Sequence, residues 1–334
     1  RLAGGGRAFT HCRAVIRSGS HELAHAVVPV AEVEAWAAGF APDLAARAKA
    51  LMTHLGAARP PFAGLTLDRP RLMAIINVTP DSFSDGGDRF DPDRAIADGL
   101  AMREAGADIL DVGGESTRPG AAPVAPEEEL RRTIPVVRAL AEAGALVSID
   151  TRRARVMAAA IEAGARIVND VTALAGDPDS LRVVAESGVS VVLMHMQGEP
   201  RTMQADPTYA DAALDVYDAL AARVAACREA GIEPARIAVD PGIGFGKTVA
   251  HNLEILRALA LYHGLGCALL LGVSRKSFIA RLAYDEPPKQ RFPGSLAAAL
   301  AGLARGVQIL RVHDVAWTRQ ALAVWQTIET AVSS

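Results

Sequence analysis

Eight short apolar runs recur along the chain, and each gives way to a polar residue at its C-terminal end. In order they are residues 72–76 before Asn77, 109–112 before the glycine-rich stretch 113–120, 145–149 before Asp150, and 166–168 before Asn169. The series continues with 189–194 before His195, 237–239 before Asp240, 268–273 before 274–276, and 307–310 before Arg311 and His313. Ala-rich stretches with apolar residues at helical spacing separate the runs, so the pattern predicts strand, loop and helix repeated eight times. An α/β chain of this kind is expected to close into a (β/α)8 TIM barrel, with its active site where the strands end. The polar residues above are therefore expected to converge on one mouth.

The chain has 334 residues, and the repeating region, 71–334, is of the size such a barrel needs as one domain, about 250 residues. Half the residues are apolar, which is ample for a large core. A net charge of −3 provides no basic stripe, which argues against a nucleic-acid partner. Cys12, Cys227 and Cys267 are far apart and odd in number. They suggest neither a disulfide framework nor a cysteine metal site, and a reducing cytoplasm fits best. Charges such as Glu32 and Glu34 interrupt the most hydrophobic windows before they reach the roughly 18 apolar residues of a membrane helix. No membrane partner is expected. The first residue is Arg1, with no initiator Met, as in a processed or truncated product.

Residues 1–70 lack the strand-helix rhythm and are expected to form a partly helical N-terminal extension, with a helix over 30–55 started by Pro29 or Pro42. Arg59, Pro60 and Pro61 read as a linker before the barrel. His21-Glu22-Leu23-Ala24-His25 matches H-E-x-x-H, which places two zinc ligands and a base on one helix face. A helix started at Ser20 would meet Pro29 early, so a solvated polar stretch is the preferred reading. Residues 242–248 contain three glycines and a Lys-Thr pair, but fit neither a P-loop nor a dinucleotide fingerprint, since Pro241 stands where the P-loop glycine belongs. This segment is expected to be a loop whose glycines let the backbone approach a ligand. His54, His251 and His263 are expected in surface or capping roles.

Two further loops are rich in chemistry. Residues 77–87 are dense in Asp, Ser and Gly around Phe83, as expected of a flap over the mouth or of an ordinary turn. Residues 113–120 place Arg118 and two hydroxyls among glycines and a proline, which suits an anion. Around the mouth, Asp150, Asn169 and Asp240 offer acceptors for a heterocycle edge bearing N–H donors, and Lys276 could meet a ring acceptor. Asp150 also suits an N-cap of the following helix. Opposite them, Asn77, Arg311 and His313 suit diphosphate with bound Mg2+.

On these segments, together with 169–170, 193–198, 240–247, 274–277 and 311–314, the chain resembles the dihydropteroate synthase family over nearly all of 71–334. Ile243 stands where many members carry Phe. The resemblance implies condensation of 6-hydroxymethyl-7,8-dihydropterin diphosphate with p-aminobenzoate. It implies that Asp150, Asn169, Asp240 and Lys276 hold the pterin, with Met194 against its ring, and that Asn77, Thr117, Arg311 and His313 bind diphosphate, Asn77 on Mg2+. It implies a p-aminobenzoate site shaped by Phe83, Arg118, Pro119 and Phe245, catalytic parts for Lys276, Arg311 and His313, a homodimer, and sensitivity to sulfonamides.

The electron-rich dihydropterin can carry positive charge at its exocyclic methylene as diphosphate departs, so electrostatics suffice without a side-chain nucleophile. Asp85 is the candidate for stabilising that cation, and the flap for keeping water from it. Two alternatives keep the pterin pocket: a methyltetrahydrofolate-type methyltransferase, which needs no diphosphate site, and a paralogue without activity.

Overall fold

The computed structural model describes residues 1–78, 91–116, 124–199 and 202–331. The expected Phe83, Asp85, Thr117, Arg118 and Pro119 lie outside these residues. The chain opens with an antiparallel hairpin, β1 (His11–Ser18) and β2 (His21–Pro29), followed by α1 (Val33–Ala38) and α2 (Pro42–Gly56).

The barrel comprises β3 (Arg71–Asn77), α3 (Pro92–Glu104), β4 (Ile109–Gly113), α4 (Pro126–Glu142), β5 (Val147–Asp150), α5 (Ala154–Glu162), β6 (Ile167–Asp170) and α6 (Ser180–Ser187). It continues through β7 (Ser190–Met194), α7 (Ala212–Glu229), β8 (Ile237–Asp240), α8 (Val249–Arg257), β9 (Ala268–Leu271), α9 (Ser277–Leu282), α10 (Phe292–Leu303), β10 (Ile309–Val312) and α11 (Val315–Ala331). The strands close as β10-β3-β4-β5-β6-β7-β8-β9, all parallel, so the expected (β/α)8 barrel is what the chain forms. Strand residues are buried on both faces, which explains why they read as continuous apolar runs rather than as alternating ones. Helix starts follow local chemistry: Asp91 accepts from the backbone of Asp93 and Arg94 ahead of Pro92, and Asp211 accepts from Leu214.

Register decides which strand residues share a level inside the barrel. Asp111 lies opposite Ser148, and Ser148 opposite Ile167, two residues before Asn169. Val192 lies opposite both Asn169 and Ala238, two residues before Asp240. Leu270 lies opposite Ile309, two before Arg311; Arg311 lies opposite Met73, which faces Ile109, two before Asp111. The stagger thus returns to its start, as barrel closure requires, and places Asp111, Asn169, Asp240 and Arg311 in one ring. Below that ring, Met73, Val192 and Leu270, and then Ile109, Ile167, Ala238 and Ile309, fill the lumen with hydrocarbon. Residues of the opposite parity, such as Leu110, Val168, Val239 and Leu310, pack outward under the helices.

The extension departs from expectation at three points. The helix expected over 30–55 is two helices, because the turn after Ala38 breaks it and Pro42, which has no N–H to give, starts the second. His21–His25 belongs to strand β2, which was not expected, although His21, Glu22 and His25 are exposed as a solvated polar stretch would be; Ala26 and Val28 face the small core with Val33, Ala37 and Ala48, while Leu23, His25 and Val27 face outward. Strand geometry cannot set His21 and His25 side by side as i, i+4 helix positions would. Finally, the segment after Arg59 is a seam rather than a free linker. Arg59 donates to the carbonyls of Cys267, His263 and His54 at 2.8, 2.7 and 2.9 Å, and Phe62, 1% exposed, plugs the bottom of the barrel with Leu65 and Leu67.

Among the described residues no helix is long and apolar enough to cross a membrane. His251 caps α8 as expected, and His54 bonds the carbonyl of Gly264. His263 differs: it is fully buried with Nε2 at 3.0 Å from the carbonyl of Arg305, a position set by packing between distant segments rather than by local sequence.

Candidate active site

The polar ring caps the hydrocarbon layers, and Asp111, Asn169 and Arg311 within it are joined. Arg311 donates from Nε to Asp111 Oδ2 at 2.6 Å and from Nη2 to Asp150 Oδ2 at 2.6 Å. Asn169 donates from Nδ2 to the same Asp111 oxygen at 3.0 Å. Asp240 accepts from the backbone N–H of Gly242 at 2.8 Å. Asp150 and Met194 sit one level higher on β5 and β7, each two residues beyond an inward position, and Gly272 leaves the matching place after β9 without a side chain.

Burial dominates the electrostatics. It pushes Asp150 up to about 7 despite the pull of Arg311, with Asp111, Glu129 and Asp170 adding to the rise. It also raises Asp240, against the Gly242 N–H and the charges of Lys276 and Arg311. Burial lowers the proton affinity of the Arg311 guanidinium, but the carboxylates of Asp111 and Asp150 outweigh it and raise the pKa overall. Asp111 Oδ1 is buried without a partner among the described residues, an acceptor left over at the floor of the pocket.

The remaining candidates lie around this floor. Asn77 ends β3, opposite Gly113 and half-buried, with its amide at the rim. Ser274 accepts from the backbone N–H of His313 at 3.2 Å, and its Oγ lies 2.9 Å from His313 Nδ1. The Ser274 hydroxyl thus holds both the backbone and the ring of His313. Arg275 adopts a left-handed φ of 59°, unusual outside glycine, and is held by Asp314 at 2.5 Å and by Ser295, which accepts from its backbone N–H at 2.8 Å. This turn presents Lys276, whose Nζ stands 3.9 Å over the centroid of the Phe245 ring. Phe245 packs with Val171, Met194 and Met203.

Glu115 and Val124 are clamped together. Arg153 donates from Nη2 to Glu115 Oε1 at 3.1 Å and to the carbonyl of Val124 at 2.6 Å, while the Val124 N–H donates to Glu115 Oε1 at 3.1 Å. Arg153 also pairs with the buried Glu129.

Asp150, Asn169, Asp240 and Arg311 are thus brought into contact or onto one level, with Met194, Phe245 and Lys276 forming an adjoining wall. The mouth does not divide as the sequence suggested. Arg311, expected opposite Asp150, is bonded to it, because the stagger sets Arg311 in the ring with Asp111, one level below Asp150, where one guanidinium reaches both carboxylates. Nor is Asp150 an N-cap: α5 begins after Arg153, and Asp177 accepts from Ala154 instead. Sequence reasoning missed Asp111, hidden inside an apolar run, and Lys247, set aside along with the rejected P-loop. A lone carboxylate inside an otherwise apolar strand was the available signal for the first.

A family model described as pterin binding enzyme matches residues 73–313. The dihydropteroate synthase of Escherichia coli (strain K12) is 46% identical over 261 residues, spanning 78% of this chain and 92% of the relative. Among solved structures, Xanthomonas albilineans dihydropteroate synthase with 4-aminobenzoic acid matches with a TM-score of 0.75 at 50% identity, over 80% of this chain and 96% of that one. The same enzyme in complex with 7,8-dihydropteroate matches with a TM-score of 0.72 at 47% identity, over 79% and 95%.

Proposed function

The chain belongs to the dihydropteroate synthase family of pterin-binding enzymes, and from that premise we propose that its polar ring is where 6-hydroxymethyl-7,8-dihydropterin diphosphate meets p-aminobenzoate to form 7,8-dihydropteroate and diphosphate. The observation that carries the assignment of the site is the cluster Asp111, Asp150, Asn169, Asp240 and Arg311 closing the mouth over a hydrocarbon floor. A flat heterocycle with N–H donors along one edge and acceptors along another finds both kinds of partner there.

In this reading Asp150, Asn169 and Asp240 take the pterin's donors, Lys276 takes a ring acceptor, and Met194 covers a face. Arg311 orients Asp150, and turns to diphosphate only by giving up a carboxylate. His313 and Asn77, with Thr117 outside the described residues, remain for the leaving group. Phe245, with Phe83, Arg118 and Pro119 outside the described residues, shapes the place of the arylamine.

Asn77 supplies a neutral hard oxygen, which fits Mg2+ held mainly by substrate phosphates and water. Bound there, Mg2+ would neutralise charge developing on the departing diphosphate. The chain's residues orient the pterin so that its exocyclic methylene faces the arylamine, and exclude water from the cation. Asp85 is the residue proposed to stabilise that cation.

The exposed Trp317, Val324 and Ile328 recur at helical spacing on α11 and support the homodimer expected of the family. The free thiols of Cys12, Cys227 and Cys267 suit a reducing cytoplasm. The deciding experiment follows dihydropteroate by chromatography from both substrates and Mg2+, with and without EDTA. Metal-dependent product is the expected result; tight pterin binding with no product would overturn the synthase reading.

A further inference from the structure

The loops that follow β7 and β8 interlock backbone to backbone. Gly242 and Gly246 have φ of 68° and 59°, and a Cβ at either would stand 1.9 Å from the carbonyl oxygen of His195 or 2.4 Å from that of Gln197. Tyr209 donates its hydroxyl to the carbonyl of Gly246 at 2.7 Å, and Asn252 accepts from Gly244 at 2.7 Å. Between the loops lies Lys247, 3% exposed. Its Nζ stands 3.0 Å from His195 Nδ1, 3.2 Å from the His195 carbonyl and 2.9 Å from the Phe245 carbonyl.

All three of these acceptors are neutral. Burial pushes the Lys247 amine down to about 7, and burial, reinforced by Lys247, pushes His195 down to about 3, so the imidazole is uncharged. An ammonium buried among neutral acceptors is a poor choice for stability alone, where an apolar side chain of similar length would serve better. What the lysine nitrogen provides is geometry: one atom bonds both polar groups of residue 195 and the backbone of residue 245 at once. Phe245 is the residue whose ring lies under Lys276.

We propose that Lys247 is a positioning residue for the arylamine wall, which holds Phe245 beneath Lys276 through the carbonyl of Phe245 and the two polar groups of His195 and touches neither substrate. The proposal rests on the reading above that Phe245 shapes the p-aminobenzoate site. It accounts for a lysine inside a glycine-rich loop that binds no phosphate in this reading.

The test is a mutant cycle on the full-length enzyme with Mg2+ and both substrates, using K247M, F245A and the double variant. K247M is expected to raise KM for p-aminobenzoate about tenfold while kcat and KM for the pterin diphosphate stay within about threefold. The double variant is expected to be no worse than F245A, because the lysine acts through that ring. Additive effects, or a uniform fall in all parameters with a lowered Tm, would overturn the proposal. If F245A itself leaves KM for p-aminobenzoate unchanged, the reading of Phe245 fails and the proposal with it. If F245A raises it and K247M does not, only the role of Lys247 fails. Should K247M not fold, K247R in the same cycle decides, since arginine restores charge without setting three donors on one atom.

Discussion

Arg311 and Asp150 meet at the mouth of the barrel, Nη2 to Oδ2 at 2.6 Å, although 161 residues separate them. The same guanidinium holds Asp111, which is fully buried, so one cation serves two carboxylates. Asp150, the carboxylate proposed to meet the pterin, is thereby oriented by Arg311.

Arg311→Met leaves both carboxylates without their counter-charge. Breaking a buried pair by removing one partner costs about 3–5 kcal/mol, and a loss of that size is expected in denaturant unfolding at neutral pH. Asp111→Asn combined with Arg311→Met is expected to recover part of it, since one orphaned charge is then gone. A single variant as stable as the parent would show that the pair contributes nothing net.

With Asp150 taking the pterin's donors as proposed, pterin binding is expected to depend on pH. Burial, with Asp111 and other carboxylates, holds the folded-state value up at about 7, above the ordinary carboxylate value of 3.8. A raised acid favours the folded state below the unfolded value, and that contribution is lost as pH rises towards about 7. Binding has the opposite sign, because the pterin donors need the ionised form. Affinity measured by calorimetry is expected to tighten as pH rises through about 7 and then level off, by up to about tenfold per unit below that value. Asp150→Asn is expected to bind more weakly and without this dependence. A flat profile for the parent enzyme would refute the assignment.

Asp85, outside the described residues, is proposed to act on the cation rather than on the bound pterin. Asp85→Ala is therefore expected to lower kcat by about 100-fold while pterin affinity changes little. Steady-state kinetics alongside calorimetry separate the two, and an unchanged kcat removes Asp85 from the mechanism.

Arg59 joins the extension to the base of the barrel. Arg59→Ala strips donors from the carbonyls of Cys267, His263 and His54, of which that of His263 still accepts from the Gly266 N–H at 3.0 Å, and each acceptor left unpaired costs about 1–3 kcal/mol. A total loss of roughly 3 kcal/mol is expected in thermal or denaturant unfolding, with substrate KM values unaltered because the site lies at the other end of the barrel. A large rise in KM would mean that the extension communicates with the mouth.

Much of this molecule was legible along the chain. Apolar runs such as 147–149 and 237–239 have no stable place except inside a sheet covered on both faces, and the polar residue ending each must then stand at the rim. The strand after residue 71 and the mouth residues Asp150, Asn169, Asp240 and Arg311 follow from that reasoning alone. The helix start at Pro42 was also written locally, in a residue with no N–H to give, but the separate helix before it, ending at Ala38, was not foreseen.

What the chain could not disclose is which distant residues share a level. The stagger between strands is a property of the closed barrel, and it alone sets Arg311 beside Asp111 and Asp150 instead of across from them. The same holds for Lys247, whose glycine-rich surroundings read as a loop until the turn after Met194 is laid against it and its amine has nowhere to go but inward. Local spacing determined the elements and their ends. Closure of the barrel decided their partners, because hydrogen-bond register around a ring is fixed only when the last strand meets the first.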